Sequence, residues 1–116
     1  MRYILLIYAD EAARGAMSSD DRHAMYAEYE KFANELTERG IGRGGDELAS
    51  VTSATTVQER DGKMLVTDGP FAETKEQLGG YFIVDVDDLD TAIELAGKIP
   101  AVHGGSIEIR PIVDEG

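Results

Sequence analysis

The run Tyr3-Ile4-Leu5-Leu6-Ile7-Tyr8 limits what this chain can fold into more than any other stretch. Written as a strand, it points Ile4, Leu6 and Tyr8 one way and Tyr3, Leu5 and Ile7 the other. Both sets are apolar, which predicts a strand covered on both faces. Tyr81-Phe82-Ile83-Val84-Asp85-Val86 repeats the pattern, with Phe82, Val84 and Val86 opposed to Tyr81 and Ile83. The fold must therefore supply cover for each side of one sheet.

Helices supply the first cover. Ser18 or Ser19 can cap a helix with Asp20 and Asp21 in its first turn, where carboxylates suit the helix dipole. Met25, Tyr29, Phe32 and Leu36 follow at helical spacing, and Gly40 is a natural stop. Asp87 or Asp88 caps a second helix, with Leu89, Ala92, Ile93, Ala96 and Ile99 on its inner side and Pro100 ending it. Asp10 to Met17 reads as a small-residue loop, and Gly42-Arg43-Gly44-Gly45 as a flexible turn. Thr55 to Arg60 and Lys63 to Thr67 flank Asp61-Gly62, a strong hairpin signal. Ser106 to Val113 forms the closing strand, with Ile107 and Ile109 opposed to Glu108 and Arg110.

The order is β-α-β-β-loop-β-α-β. It predicts one domain over residues 1–116, an α+β, ferredoxin-like antiparallel sheet with two helices on one face. The other face would leave in water an apolar patch larger than monomers tolerate. The expectation is a homodimer with sheets packed face to face, an isologous contact.

Composition removes several function classes. The net charge of −12, from 23 acidic and 11 basic residues, repels phosphate backbones and anionic lipid, so neither nucleic acid nor membrane is expected as a partner. The absence of cysteine excludes disulfides, thiolate metal sites and cysteine nucleophiles. No apolar run approaches the roughly 20 residues that span a bilayer. The apolar N-terminal stretch is too short for a signal peptide, so a cytoplasmic location is the expectation. His23 and His103 stand far apart without a ligand constellation, so no metal or other cofactor is expected.

The chemically richest stretch is Asp68-Gly69-Pro70-Phe71-Ala72-Glu73-Thr74-Lys75-Glu76-Gln77-Leu78-Gly79-Gly80-Tyr81. Asp68-Gly69-Pro70 is a turn by composition. Asp68 is either the residue that shapes that turn or a carboxylate at the mouth of a cleft. Phe71 is expected to plug a small core beneath the loop. Glu73, Lys75 and Glu76 are a solvated charge run or polar contacts to a ligand or to the second copy of the dimer. Gly79-Gly80 permits close backbone packing. Tyr81 and Asp85 share the outer sheet face, where Arg110 is the residue type best suited to meet a carboxylate. Tyr81, Asp85, Arg110, Glu73, Lys75 and Glu76 form the candidate ligand-binding set.

The same stretch resembles the signature of the DGPF group of YCII-related proteins. Met1 to Tyr8, Asp88-Leu89-Asp90 with Ile99-Pro100, and Gly105 to Pro111 extend the resemblance over nearly the whole chain. It implies a ferredoxin-like protomer in a dimeric α/β barrel. Some YCII-related relatives carry a His/Asp pair proposed as catalytic, and no motif assigns that role to His23. The group also occurs beside, or fused to, sigma factors of the extracytoplasmic-function type. The expected function is a small-molecule-binding or regulatory module, with such a sigma factor as a possible partner. The alternative is a metal-independent general acid/base enzyme acting on a small cyclic or carbonyl substrate. Its base would be Asp68, with Tyr81, Asp85 or Arg110 orienting the substrate.

Overall fold

The computed structural model describes residues 1–70, 72 and 74–114. Its strands are β1 (Arg2–Ala9), β2 (Gly42–Glu47), β3 (Thr55–Arg60), β4 (Lys63–Asp68), β5 (Gln77–Asp85) and β6 (Ser106–Pro111). Its α-helices are α1 (Glu11–Gly15), α2 (Ser19–Glu38) and α3 (Leu89–Ala96). Short 3₁₀ turns cover Val51–Ser53 and Pro100–His103. Four strands form an antiparallel sheet in the order β2-β5-β1-β6. The β1–α2–β2 and β5–α3–β6 crossovers interleave, which is compatible with the ferredoxin-like arrangement. Phe32 and Leu36 of α2, and Ala92 and Leu95 of α3, share one buried cluster with Tyr3, Leu5, Ile7 and Val84. Both long helices therefore lie on the same side of the sheet. Among the described residues, no helix is long and apolar enough to cross a membrane.

The helix signals hold at both N-termini. The Ser18 hydroxyl accepts from the Asp21 amide at 3.1 Å, and Asp88 accepts from the Thr91 amide at 2.9 Å and its hydroxyl at 2.7 Å. The Thr91 contacts hold the Asp88 carboxyl below its ordinary pKa. This cap therefore contributes fully above the ordinary carboxylate range and is lost as the pH falls through the depressed value. Gly40 follows α2 at φ 68°, as a C-terminal stop requires.

Several expectations need correction. The segment read as a flexible turn, Gly42 to Gly45, opens β2, an edge strand paired with β5. Arg43 and Gly44 bulge out between the Gly42–Val84 and Gly45–Phe82 pairs, and Gly44 takes φ 119°. A Cβ on Gly45 would lie 2.7 Å from the Tyr81 carbonyl oxygen, so the close approach of these strands excludes a side chain there. The loop Asp10 to Met17 contains α1, whose cap is Asp10 accepting from the Ala12 amide at 3.0 Å. The strand expected from Tyr81 begins at Gln77 and ends at Asp85, and the closing strand ends at Pro111 rather than Val113. The second helix stops at Ala96, ahead of Pro100. Ile93, expected inside, is 51% exposed, and Leu89 is 49% exposed. The inner row is Ala92, Leu95, Ala96 and Ile99, with Leu89 and Ile93 at its margin.

The β3–β4 hairpin forms as expected around Asp61-Gly62, but as a separate two-stranded sheet. It is an insertion between the second and third strands of the main sheet. Every residue of β4 is exposed.

The second sheet face carries no covering element among the described residues. The molecule is 18 Å across its shortest axis, the depth of one sheet and one helix layer. Ile4, Leu6 and Tyr8 of β1 lie there in register with Ile83, Tyr81 and Leu78 of β5. All six are half-buried.

Candidate functional site

A cleft of about 370 Å³ opens between α2 and the β2–β5 edge of the sheet, on the helix side. Ile7, Phe82, Gly45, Gly79 and Gly80 form its floor. Tyr26, Tyr29, Glu30 and Ala33 of α2 form a wall, and Arg14 and Glu47 stand at the rim. The wall residues sit at i, i+3, i+4 and i+7, so one stripe of α2 faces the cleft. The stripe lies beside the Phe32 and Leu36 positions that the core uses; Met25, expected on the same inner face, is half-buried and outside the core cluster.

The floor is flat for covalent reasons. The register shifts between Ile7 and Tyr8, so that Ile7 meets Gly80, Tyr8 meets Leu78, and Gly79 is the extra residue of a bulge. A Cβ on Gly79 would come to 3.3 Å from the Arg14 Nη1. The missing side chain leaves room for that guanidinium to lie across the strand.

Arg14 is brought there by α1. The Glu11 amide donates to Gln77 Oε1 at 3.1 Å. The Glu11 carboxylate accepts from the Ser50 hydroxyl at 2.8 Å and from the Val51 amide at 2.9 Å. These bonds tie α1 to the start of β5 and to the segment leading into the hairpin. At the rim, Arg14 Nη2 lies 3.6 Å from Glu47 Oε1, and the Tyr26 hydroxyl donates to the same oxygen at 2.8 Å. That bond to Glu47 raises the Tyr26 pKa, so its phenol stays protonated. Burial raises the Tyr29 pKa against the opposing pull of Arg14. The Tyr29 ring lies at 14° to that of Phe82, with centroids 6.5 Å apart. Phe82 meets Phe32 edge-on at 4.9 Å and is thereby braced by the core.

The residues singled out from sequence lie elsewhere. Asp68 is exposed at the end of β4, opposite Thr55, and is not part of the cleft. Tyr81 and Asp85 lie on the open sheet face, as expected. Asp85 is met by the N-terminal ammonium at 3.2 Å and by Arg43 at 3.5 Å. Arg110 stands in register with Ile4 on the far side of β1. Lys75 is exposed, whereas Glu76 is half-buried and accepts from the Ser106 hydroxyl at 2.8 Å. Phe71 and Glu73 fall outside the described residues. A second concavity of about 360 Å³ beside this loop is lined by Val51, Thr52, Gly69, Pro70, Thr74 and Gln77. Its described lining brings together hydroxyls, backbone and the Gln77 side chain. His23 and His103 are exposed on separate elements.

Sequence reasoning missed Arg14, Tyr26 and Glu47. The available signal was the Tyr26, Tyr29, Glu30, Ala33 stripe beside the core stripe of α2. Arg14 and Glu47 carried no such signal, because their own elements were read as loop and turn.

The YCII-related domain model matches residues 1–115 of this chain. A curated relative, the uncharacterised protein R00369 of Rhizobium meliloti (strain 1021), is 33% identical over 114 residues, spanning 97% of this chain and 92% of its own length. A match of this extent rests on the whole β1-to-β6 framework rather than on the loop signature alone, and the chain belongs to the YCII-related family.

Proposed function

We propose that this protein is a small-molecule-binding module that works as a homodimer and takes its ligand in the cleft between α2 and the sheet. One observation carries the reading. A guanidinium, a phenol and a carboxylate converge on the rim of a largely apolar hollow of about 370 Å³. Small-molecule sites have this composition and size. The homodimer reading rests on the open face, where an apolar centre is bordered by Glu108, Arg110 and Asp85. Charges of both signs around an apolar centre suit a self-complementary contact. A regulatory role beside a sigma factor of the extracytoplasmic-function type is the partner reading that the family resemblance supports.

The test is a thermal-shift screen against a library of small metabolites, run on the parent protein and on Ala33→Phe. The added ring would occupy the cleft from the α2 side. A ligand present at about 100 times its Kd stabilises by about 2.7 kcal/mol, which raises Tm by about 10 °C in a domain this small. We expect such a shift for the parent and none for Ala33→Phe. No responding metabolite, or an equal response in both proteins, overturns the reading.

The Tyr26–Glu47 bond beside Arg14 favours a second reading, metal-independent acid/base chemistry on a small cyclic or carbonyl substrate. Glu47 then takes the part expected of Asp68, because it faces the cleft and Asp68 does not.

A further inference from the structure

We infer that the ligand of the α2 cleft is a neutral, planar ring carrying a carbonyl oxygen next to an N–H or O–H group. The inference rests on the cleft being a small-molecule site and adds the class of molecule. Three features lead to it.

The first is shape. Tyr29 of the wall and Phe82 of the floor hold their rings nearly parallel, 14° apart, beside Gly79 and Gly80, which add no side chain to that floor. Flat apolar surfaces held in one orientation favour a flat ligand over a branched one.

The second is the polar edge. Glu47 Oε1 already accepts from Tyr26 at 2.8 Å, and Arg14 Nη2 stands 3.6 Å from that oxygen, too far for a hydrogen bond. The Arg14 side chain makes no hydrogen bond to protein among the described residues. A ligand edge that offers Arg14 an acceptor and Glu47 a donor satisfies both at once. A carbonyl beside an N–H or O–H has this pattern.

The third is charge. An anion would gain Arg14 but meet Glu47 and Glu30, in a protein whose net charge is −12. A cation would gain the carboxylates but meet the Arg14 guanidinium. A neutral ring is repelled by neither, and it loses less hydration on entering the apolar cleft.

Benzamide, benzoate and benzamidinium are nearly isosteric and carry charges of 0, −1 and +1. Each is titrated into the ¹⁵N-labelled full chain, and the amide resonances of Gly45, Gly79 and Gly80 are followed. We expect benzamide to move them with a Kd at least about tenfold below those of the two ions. Arg14→Met is expected to weaken benzamide by about tenfold while leaving the remaining amide spectrum in place. Equal or tighter binding of either ion overturns the ligand class and leaves the cleft standing as a site. If none of the three moves these resonances at about ten times the protein's millimolar concentration, the class and the site fall together. An Arg14→Met variant that binds benzamide as the parent does removes the polar edge from the account.

Discussion

Gly105→Ala is expected to lower the free energy of unfolding by about 3 kcal/mol, although it adds a single methyl group. Gly105 is half-buried immediately before β6. A Cβ there would lie 2.1 Å from the Tyr8 carbonyl oxygen, 3.1 Å from that of Ala101 and 3.2 Å from the Ala9 Cα. All three atoms are backbone, so no side chain can swing aside. Relief requires β6 to move from β1, at the Tyr8–Ser106 pair, or the 2.7 Å bond from the Gly105 amide to Ala101 to break. Either loosens the strand that closes the sheet. In a domain of this size the loss corresponds to a fall in Tm of roughly 12 °C or more. Urea unfolding followed by circular dichroism measures it. Gly15→Ala is the control, because a Cβ at Gly15 meets nothing within 4 Å and alanine favours the helix. A Gly105→Ala variant as stable as the control would show that β1 and β6 are not held at this spacing in solution.

Leu6→Glu is expected to turn the proposed homodimer into a monomer at micromolar concentration. Leu6 lies at the middle of the open face, between Tyr81 of β5 and Glu108 of β6. In a two-fold contact the change places a carboxylate on each side of the same interface. Removing an unpaired ion from water costs several kcal/mol, so the dissociation constant should rise by about a thousandfold or more. Leu6 is only half-buried on a single chain, so the helix-side core is untouched and the protomer keeps its circular dichroism spectrum. Light scattering on the eluting peak gives the mass directly. A parent protein that elutes as a monomer at micromolar concentration removes the second copy from the account of this face. A dimeric Leu6→Glu variant moves the interface elsewhere.

Much of the frame was legible in the sequence because it rests on local chemistry. Caps at Ser18 and Asp88, the stop at Gly40 and the Asp61-Gly62 turn each depend on a few adjacent residues. The two-faced apolar pattern of β1 and β5 also survives, because alternation needs no tertiary information. β2 was not legible. Gly42, Gly44 and Gly45 have no side chain to carry a period, and this strand exists because β5 offers it a ladder. The site inherits that blindness. Its polar rim comes from β2 and α1, the two elements the sequence conceals, while its wall comes from the helix the sequence announces. The Asp68 loop drew attention through its density of functional groups. Its part in the cleft comes instead from its far end, where Gly79 and Gly80 form floor and Gln77 holds α1 and therefore Arg14 in place.

The bulge in β2 also governs how copies of this chain can meet. A sheet offers strangers two routes, along its rims and across its surface. On the β2 rim, Arg43 and Gly44 interrupt the ladder, so an incoming strand would find no regular row of amides. On the β6 rim, Pro111 supplies no amide at the end of the strand, and Glu108 and Arg110 are exposed along it. Ordered growth of strand upon strand is blocked at both ends. For the four-stranded sheet that leaves the broad face, and in the proposed dimer a contact made there saturates with the second copy rather than growing strand by strand.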